Sequence, residues 1–181
     1  MPAPSEETGE MLMTATEVIR ILGLTPLPVE GGYFLQTWRS DDTISREALP
    51  PWYPGPRACG TAIYYLLTSE TDCFSAMHAL ATDEVYHFYL GDPVEMLLLY
   101  PDGRSREIVL GPNLRDGQWV QFVVPRGVWQ GSRLVSGGRF ALLGTTMAPG
   151  FDPQDFILGK RNELQQRYPE RTEWIGALTR N

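Results

Sequence analysis

Short hydrophobic segments, most of them separated by glycine or proline, make up the middle and second half of the chain. This pattern predicts an antiparallel β-structure, such as a barrel or a sandwich. Pro101-Asp102-Gly103 predicts a tight turn between two segments. Segment 61–68 is apolar on both faces, which indicates a covering layer outside the sheet, such as a second subunit. The predicted strands are 61–68, 74–80, 84–90, 94–100, 104–110, 119–124, 129–135 and 139–146.

Helical patterns flank this β-region on both sides. Thr14 and Glu17 have the spacing of a capping box, in which each side chain binds a free backbone amide, and Gly23 is a suitable helix end. We therefore predict a short helix over residues 14–22, followed by a strand over residues 33–39. Helical turns are predicted near the C-terminus, at residues 156–158, 161–168 and 172–178.

The chain is expected to form one domain. Residues 1–13 are predicted to be a disordered lead, and residues 14–181 a single domain. The proline-rich segment 49–56 predicts a loop, because it sustains neither a strand nor a helix. Its Trp52 and Tyr53 either cover a pocket, contact a second subunit or pack onto the body of the domain.

The composition argues against several classes of protein. The net charge of -7 and the sequence pI of about 4.8 disfavour a nucleic-acid partner, because phosphate binding needs a basic surface. No run of about 18 apolar residues is present, so we expect no membrane span. The acidic N-terminus lacks the features of a secretory signal, and Cys59 and Cys73 are too few for a disulfide framework. We expect a cytoplasmic protein whose two cysteines are buried free thiols.

Two groups of residues in the β-region have a distinctive spacing. His78 and Glu84 belong to the first group, and Pro125, Gly127 and Gln130 to the second. Their spacing resembles that of the two motifs of the cupins, small antiparallel β-barrels that often hold a metal. Two of the usual four ligand positions are changed, however.

The changed positions bear directly on metal binding. Leu80 stands where the first cupin motif has its second histidine, and Gln130 stands where the second motif has a histidine. A leucine side chain cannot coordinate a metal, and a neutral amide is a weak ligand. The Asn that follows in the second motif is replaced by Leu134.

Longer stretches resemble an uncharacterised branch of the cupin superfamily with an RmlC-like jelly roll. The resemblance implies a mainly β fold, a double-stranded β-helix (cupin jelly-roll barrel) with a short N-terminal helix and C-terminal helical turns. It also implies a homodimer with a deep pocket inside the barrel, but no known substrate or reaction. The stretches are residues 31–39, 84–93, 124–130 and 151–156.

Strand alternation predicts which side chains share the barrel interior with His78. Alternate residues of a strand point to the same face, so His78, Glu84 and Gln130 are expected to converge. His87 is expected to face outward unless a bulge rotates it. The further residues predicted to line the cavity are Tyr33, Phe74, Tyr86, Phe88 and Ser132.

The leading hypothesis is a protein that binds a small polar or sugar-like molecule in the barrel. His78 and Glu84 would form an acid/base pair, with Tyr86 as a candidate acid, and an isomerase or epimerase is the expected type of enzyme. No cofactor is expected; a divalent metal on His78, Glu84 and Gln130 is the alternative, as in a dioxygenase or lyase with a depleted ligand set. A third hypothesis is a non-enzymatic ligand sensor or scaffold.

Overall fold

The computed structural model describes residues 13–180, so residues 1–12 of the predicted lead lie outside the described residues. Within this range, 13 strands form two larger sheets and a small ribbon. The strands are β1 (Thr25–Pro26), β2 (Tyr33–Arg39), β3 (Thr43–Ile44), β4 (Arg57–Ala58), β5 (Thr61–Thr68), β6 (Ser75–Leu80), β7 (Glu84–Gly91), β8 (Val94–Leu99), β9 (Ser105–Leu110), β10 (Gln121–Val124), β11 (Trp129–Leu134), β12 (Phe140–Met147) and β13 (Phe156–Leu158). The helices are α1 (Ala15–Leu22), α2 (Arg161–Arg167) and α3 (Thr172–Ala177).

Two antiparallel sheets enclose the core. The six-stranded sheet has the order β1-β2-β5-β12-β7-β10, and the five-stranded sheet has the order β13-β6-β11-β8-β9. This is a jelly roll, as the sequence predicts, because the chain passes from one sheet to the other at each step from β5 to β13 except between β8 and β9. Side chains from both sheets pack together between them, and most are fully buried. Large members of this core are Tyr65, Tyr86, Met96, Leu98, Leu110 and Leu143.

The helices cover parts of the outer faces of the two sheets. The predicted capping box is present at the start of α1, where Thr14 accepts a bond from the Glu17 amide, and Gly23 ends the helix in a left-handed conformation. Val18 of this helix packs against Leu66 of β5, which explains in part why segment 61–68 is apolar on both faces. Helices α2 and α3 cover the five-stranded sheet. None of the helices within residues 13–180 has the length and apolar character needed to cross a membrane.

Three local predictions are corrected or resolved. Residues 156–158 form strand β13 rather than a helical turn, because they pair with the edge of β6. In the loop over residues 49–56, Tyr53 packs onto the body of the fold, with its hydroxyl 2.7 Å from that of Thr82, whereas Trp52 is 46% exposed. The prediction of two buried thiols is wrong, because Cys59 is exposed and Cys73 is only half-buried.

Candidate functional site

A small cavity lies between the two sheets. Its volume is about 120 Å³, and strands β2, β5, β6, β7, β12 and β13 contribute to its wall. Three side chains in the wall are ionisable, namely Glu30, His78 and Glu84, and none is a lysine or arginine. The apolar part of the wall consists of Leu27, Phe34, Ile63, Leu80, Met147, Phe151 and Phe156.

His78 presents one imidazole nitrogen to this cavity. The residue is 2% exposed, and its Nδ1 lies 2.8 Å from the carbonyl oxygen of Ala76. Its ring stacks on Phe156 with a centroid distance of 5.1 Å. Nε2 lies 4.0 Å from Glu84 Oε2, which is too long for a hydrogen bond, and makes no hydrogen bond within residues 13–180. The Nδ1 contact therefore orients the ring and leaves Nε2 available to a ligand.

Glu84 and Gln130 meet His78 as strand alternation predicts. Gln130 lies opposite His78 in the register of β11 and β6, whereas Glu84 begins β7 in the facing sheet. The Gln130 amide donates to Glu84 Oε2 at 2.7 Å. Gln130 is 1% exposed and lies behind the carboxylate, where it fixes the position of Glu84. Its Oε1 atom is buried without a hydrogen-bond partner in the described part of the chain.

Glu30 is the functional candidate that sequence reasoning missed. It lies in the turn between β1 and β2, and its side chain reaches the cavity wall beside His78. Ser75 donates a hydrogen bond of 2.8 Å to Glu30 Oε1. The only signal in the sequence is the pair Gly31-Gly32, whose positive φ angles of 104° and 72° shape the turn.

The surroundings of the cavity shift the pKa values of His78 and Glu30. Burial opposes a charge on His78, but the carboxylates of Glu30 and Glu84 and the Ala76 carbonyl outweigh it and raise the pKa of His78 to about 9. Burial raises the pKa of Glu30, while the charge of His78 opposes this shift. His78 is therefore an imidazolium at neutral pH, and it shares the cavity wall with the carboxyl groups of Glu30 and Glu84.

Two residues that were predicted to line the cavity lie outside the barrel. A bulge in β6 pairs Ser132 with Ser75 although Gln130 pairs with His78, so strict alternation ends there. Ser75 therefore turns inward to Glu30, and Phe74 packs against the cluster under α2 and α3. Tyr33 also faces outward, because Phe34 takes the inward position, and its hydroxyl donates to Glu70 at 2.9 Å.

The remaining predicted residues belong to the core rather than to the cavity wall. Tyr86 is fully buried, and burial, with the charge of Glu84 next, raises its pKa well above 10. Phe88 packs against the same core, and the buried Ser132 hydroxyl has no partner among the described residues. His87 faces outward as expected, with Nδ1 3.2 Å from the Gln121 amide.

The donor set does not fit a divalent metal. Within residues 13–180, no three His, Cys, Asp or Glu side chains are grouped so that they could hold a metal ion. Leu80 contributes an apolar side chain to the wall at the position of the missing histidine. The Gln130 amide is bonded to Glu84, and a protonated His78 offers no lone pair at Nε2.

This jelly roll has an internal cavity lined by His78 and Glu84 of the first motif, with Gln130 of the second motif bonded to Glu84, and it defines the cupin class of proteins. The sequence profile described as "Cupin superfamily (DUF985)" matches residues 16–159, and the chain belongs to this family. It is 32% identical over 159 residues to the uncharacterized protein YML079W of Saccharomyces cerevisiae, which covers 82% of this chain and 78% of the yeast protein.

Solved structures of similar proteins have the same fold over almost their whole length. A hypothetical protein from Leishmania major superposes with a TM-score of 0.80 at 28% identity and covers 93% of this chain and 100% of its own. Protein SO0799 from Shewanella oneidensis superposes with a TM-score of 0.79 at 31% identity and covers 93% and 99% of the two chains. These relatives confirm the family and the fold.

Proposed function

We propose that this cupin binds a small polar molecule in the barrel cavity, with His78 as its central hydrogen-bond donor. The observation that supports this is the position of His78 Nε2, which lines the cavity, carries a proton at neutral pH and makes no hydrogen bond within residues 13–180. A polar atom in an enclosed site is stable only when it has a partner. A ligand oxygen would supply that partner.

The size of the cavity limits the ligand. An apolar protein cavity of about 150 Å³ holds one benzene molecule, and this cavity measures about 120 Å³. A sugar ring with its hydroxyl groups is larger than benzene, so it would enter only in part. A short carbonyl or hydroxyl compound, or one end of a longer molecule, fits the site better than a complete sugar.

The proposed chemistry is proton transfer, of the isomerase or epimerase type. The imidazolium of His78 would donate a hydrogen bond or proton to a carbonyl oxygen of the ligand. A carboxylate, Glu30 or Glu84, would accept the proton from the adjacent carbon. Glu84 is held by Gln130, whereas burial brings the pKa of Glu30 closer to neutrality, which suits a general base. Tyr86 lies in the core and has no part in this step.

Native mass spectrometry of freshly purified protein, with metal analysis of the same sample, tests this proposal. We expect a retained small organic molecule on the wild-type chain and its loss from His78→Ala. His87→Ala is the matched control, because His87 faces away from the cavity. Binding of the same molecule to both variants would place the site elsewhere, and a tightly held metal in each chain would favour the dioxygenase or lyase hypothesis.

A binding protein without turnover is the second candidate function. The small volume of the cavity favours it, because little room remains for a ligand to change shape during a reaction. Proton exchange in heavy water distinguishes the two candidate functions. An isomerase or epimerase exchanges a carbon-bound proton of its ligand with heavy water, whereas a sensor returns the ligand unchanged.

We propose that two copies of the chain associate through the outer face of the six-stranded sheet. Leu35, Trp38, Tyr89 and Val123 have exposed fractions of 37%, 51%, 50% and 47% on or beside this face. Tyr89 packs edge-on against Tyr64, so the surface is both aromatic and rigid. Exposed apolar patches of this kind are typical of subunit contacts. Sedimentation of the wild-type protein would give the number of subunits.

A further inference from the structure

The turn that carries Glu30 has an unusual backbone. Val29, Gly31 and Gly32 all have positive φ angles, of 71°, 104° and 72°. A β-branched residue such as Val29 rarely adopts this strained conformation, which persists only where the surrounding contacts hold it. Two backbone hydrogen bonds close the turn: the Leu27 amide donates to the Gly32 carbonyl, and the Gly31 amide donates to the Leu27 carbonyl. This backbone directs the Glu30 side chain into the barrel.

Arg180 holds this turn from the outside. Its guanidinium donates to the carbonyl of Val29 at 3.0 Å and to that of Glu30 at 3.1 Å. It also lies over the Phe74 ring, 4.4 Å from the centroid. A side chain at Gly31 would collide with the guanidinium, so the absence of a Cβ there permits the contact. We call this contact of Arg180 with the turn the Arg180 strap.

The turn is also fixed to the strand that carries His78. The Ala76 amide donates to the Glu30 carbonyl oxygen at 2.9 Å, and Ser75 donates to the Glu30 carboxylate. On the other side, the Tyr65 hydroxyl donates to the Gly31 carbonyl at 3.0 Å. Contacts on both sides of the turn therefore hold the Glu30 carboxylate beside the His78 imidazolium.

The charge of the cavity wall determines which ligands it favours. Glu30 and Glu84 together outnumber the single cation, His78, and the described wall contains no arginine or lysine. An anionic ligand in this cavity would lie near two carboxylates and away from water, where like charges repel strongly. An uncharged ligand can donate an N–H or O–H to Glu30 and accept from His78 at the same time.

We propose that Glu30, held in place by the Arg180 strap, is the specificity-determining carboxylate of the cavity and selects uncharged hydrogen-bond donors over anions. This inference rests on the proposed binding of a small polar molecule. It adds two residues, Glu30 as a group that contacts the ligand and Arg180 as a positioning residue. It also narrows the ligand class to amides, alcohols and hydroxycarbonyl compounds, and excludes carboxylates and phosphates.

Acetamide and acetate are suitable probes, because they have almost the same shape and differ in charge. The chain contains only two histidines, so the imidazole NMR resonances of His78 report binding and those of His87 serve as a control for the folded protein. We expect acetamide to shift the His78 resonances at a concentration at least about tenfold lower than acetate does, since a like-charge contact is costly. In Glu30→Gln this preference should disappear or reverse.

The Arg180 strap is tested with the same probes in Arg180→Ala. We expect the preference for acetamide to weaken toward that of Glu30→Gln, and the pKa of His78 to fall from about 9. Arg167→Ala is the matched control, because Arg167 also donates to a carbonyl, that of Pro101, and lies over Tyr168. If Arg180→Ala yields no folded protein, Arg180→Gln supplies the same comparison.

The outcomes separate the two proposals. If neither probe affects His78 in the wild-type protein, the cavity does not bind small polar molecules, and both proposals fail. If acetate binds as well as acetamide, or if Glu30→Gln keeps the wild-type preference, the cavity remains a binding site but Glu30 does not select its ligand. If Arg180→Ala behaves like Arg167→Ala, the strap does not position Glu30.

Discussion

The buried imidazolium of His78 predicts a specific dependence of stability on pH. Its pKa is about 9 in the folded protein and 6.5 for an ordinary histidine, which we take for the unfolded chain. The folded protein therefore holds a proton that the unfolded chain releases over this interval. This contribution to stability is complete below the unfolded pKa and is lost as the pH rises through the folded pKa. Replacement of His78 by glutamine removes it.

The magnitude follows from the two pKa values. The difference between about 9 and 6.5 corresponds to about 3 kcal/mol, at roughly 1.4 kcal/mol for each pKa unit. The linkage relation then gives about 3 kcal/mol at pH 6, about 1 kcal/mol at pH 8 and almost nothing at pH 10. No discount for solvent screening is needed, because His78 is 2% exposed.

Urea unfolding of the wild-type protein and His78→Gln at several pH values between about 6 and 10 measures this effect. Other titrating groups contribute equally to the free energy of unfolding of both proteins where the substitution does not affect them, so their contributions cancel in the difference. We expect the difference in the free energy of unfolding to shrink by about 3 kcal/mol across this interval. His87→Gln is the control, because His87 faces outward. A difference that stays constant from pH 6 to pH 10 would refute the buried imidazolium.

Three further predictions concern other parts of the chain. Asp155→Asn leaves Arg57 buried without its charged partner, since their side chains are 1% and 2% exposed, and we expect a loss of about 3–5 kcal/mol in urea unfolding; a loss below about 1 kcal/mol would contradict this. Leu80→His adds a second imidazole to the cavity wall and should bind a divalent metal more tightly than the wild-type protein in calorimetric titration; equal binding would show that Leu80 is not what prevents coordination. Tyr89→Arg places a charge on the exposed sheet face and should shift a dimer toward monomers in sedimentation, whereas an unchanged mass would place the contact elsewhere.

Most of the fold could be predicted from the sequence, because the hydrophobic pattern of each segment and the turn residues beside it are enough to indicate a strand. Tyr33–Arg39 and Thr61–Thr68 are predicted with their observed bounds, and the other predicted strands differ by one or two residues at their ends. The exception is residues 156–158, where three residues are too few to distinguish a strand from a helical turn. Their pairing with β6 depends on a contact that is distant in sequence.

Strand alternation predicted the candidate site where the strands are regular and failed where one is not. His78, Glu84 and Gln130 converge, since each lies on a strand whose inward face is continuous at that point. Phe74 lies just before a bulge between Ser75 and His78, and this bulge reverses which side chains face inward. The sequence of the segment gives no sign of the bulge. Predictions from strand alternation therefore hold only as far as the nearest bulge.

Glu30 was missed for a different reason, which bears on the function of the whole site. Its position depends on a turn of left-handed residues and on Arg180, which is distant in the sequence, so no local pattern places it beside His78. Yet its charge is the largest of the influences that raise the pKa of His78. The cupin motifs supply the imidazole and one carboxylate, whereas the turn outside them supplies the second. The protonation of His78 thus depends in part on a residue outside the motifs. We expect Glu30→Gln and Glu84→Gln each to lower the pKa of His78 in an NMR titration.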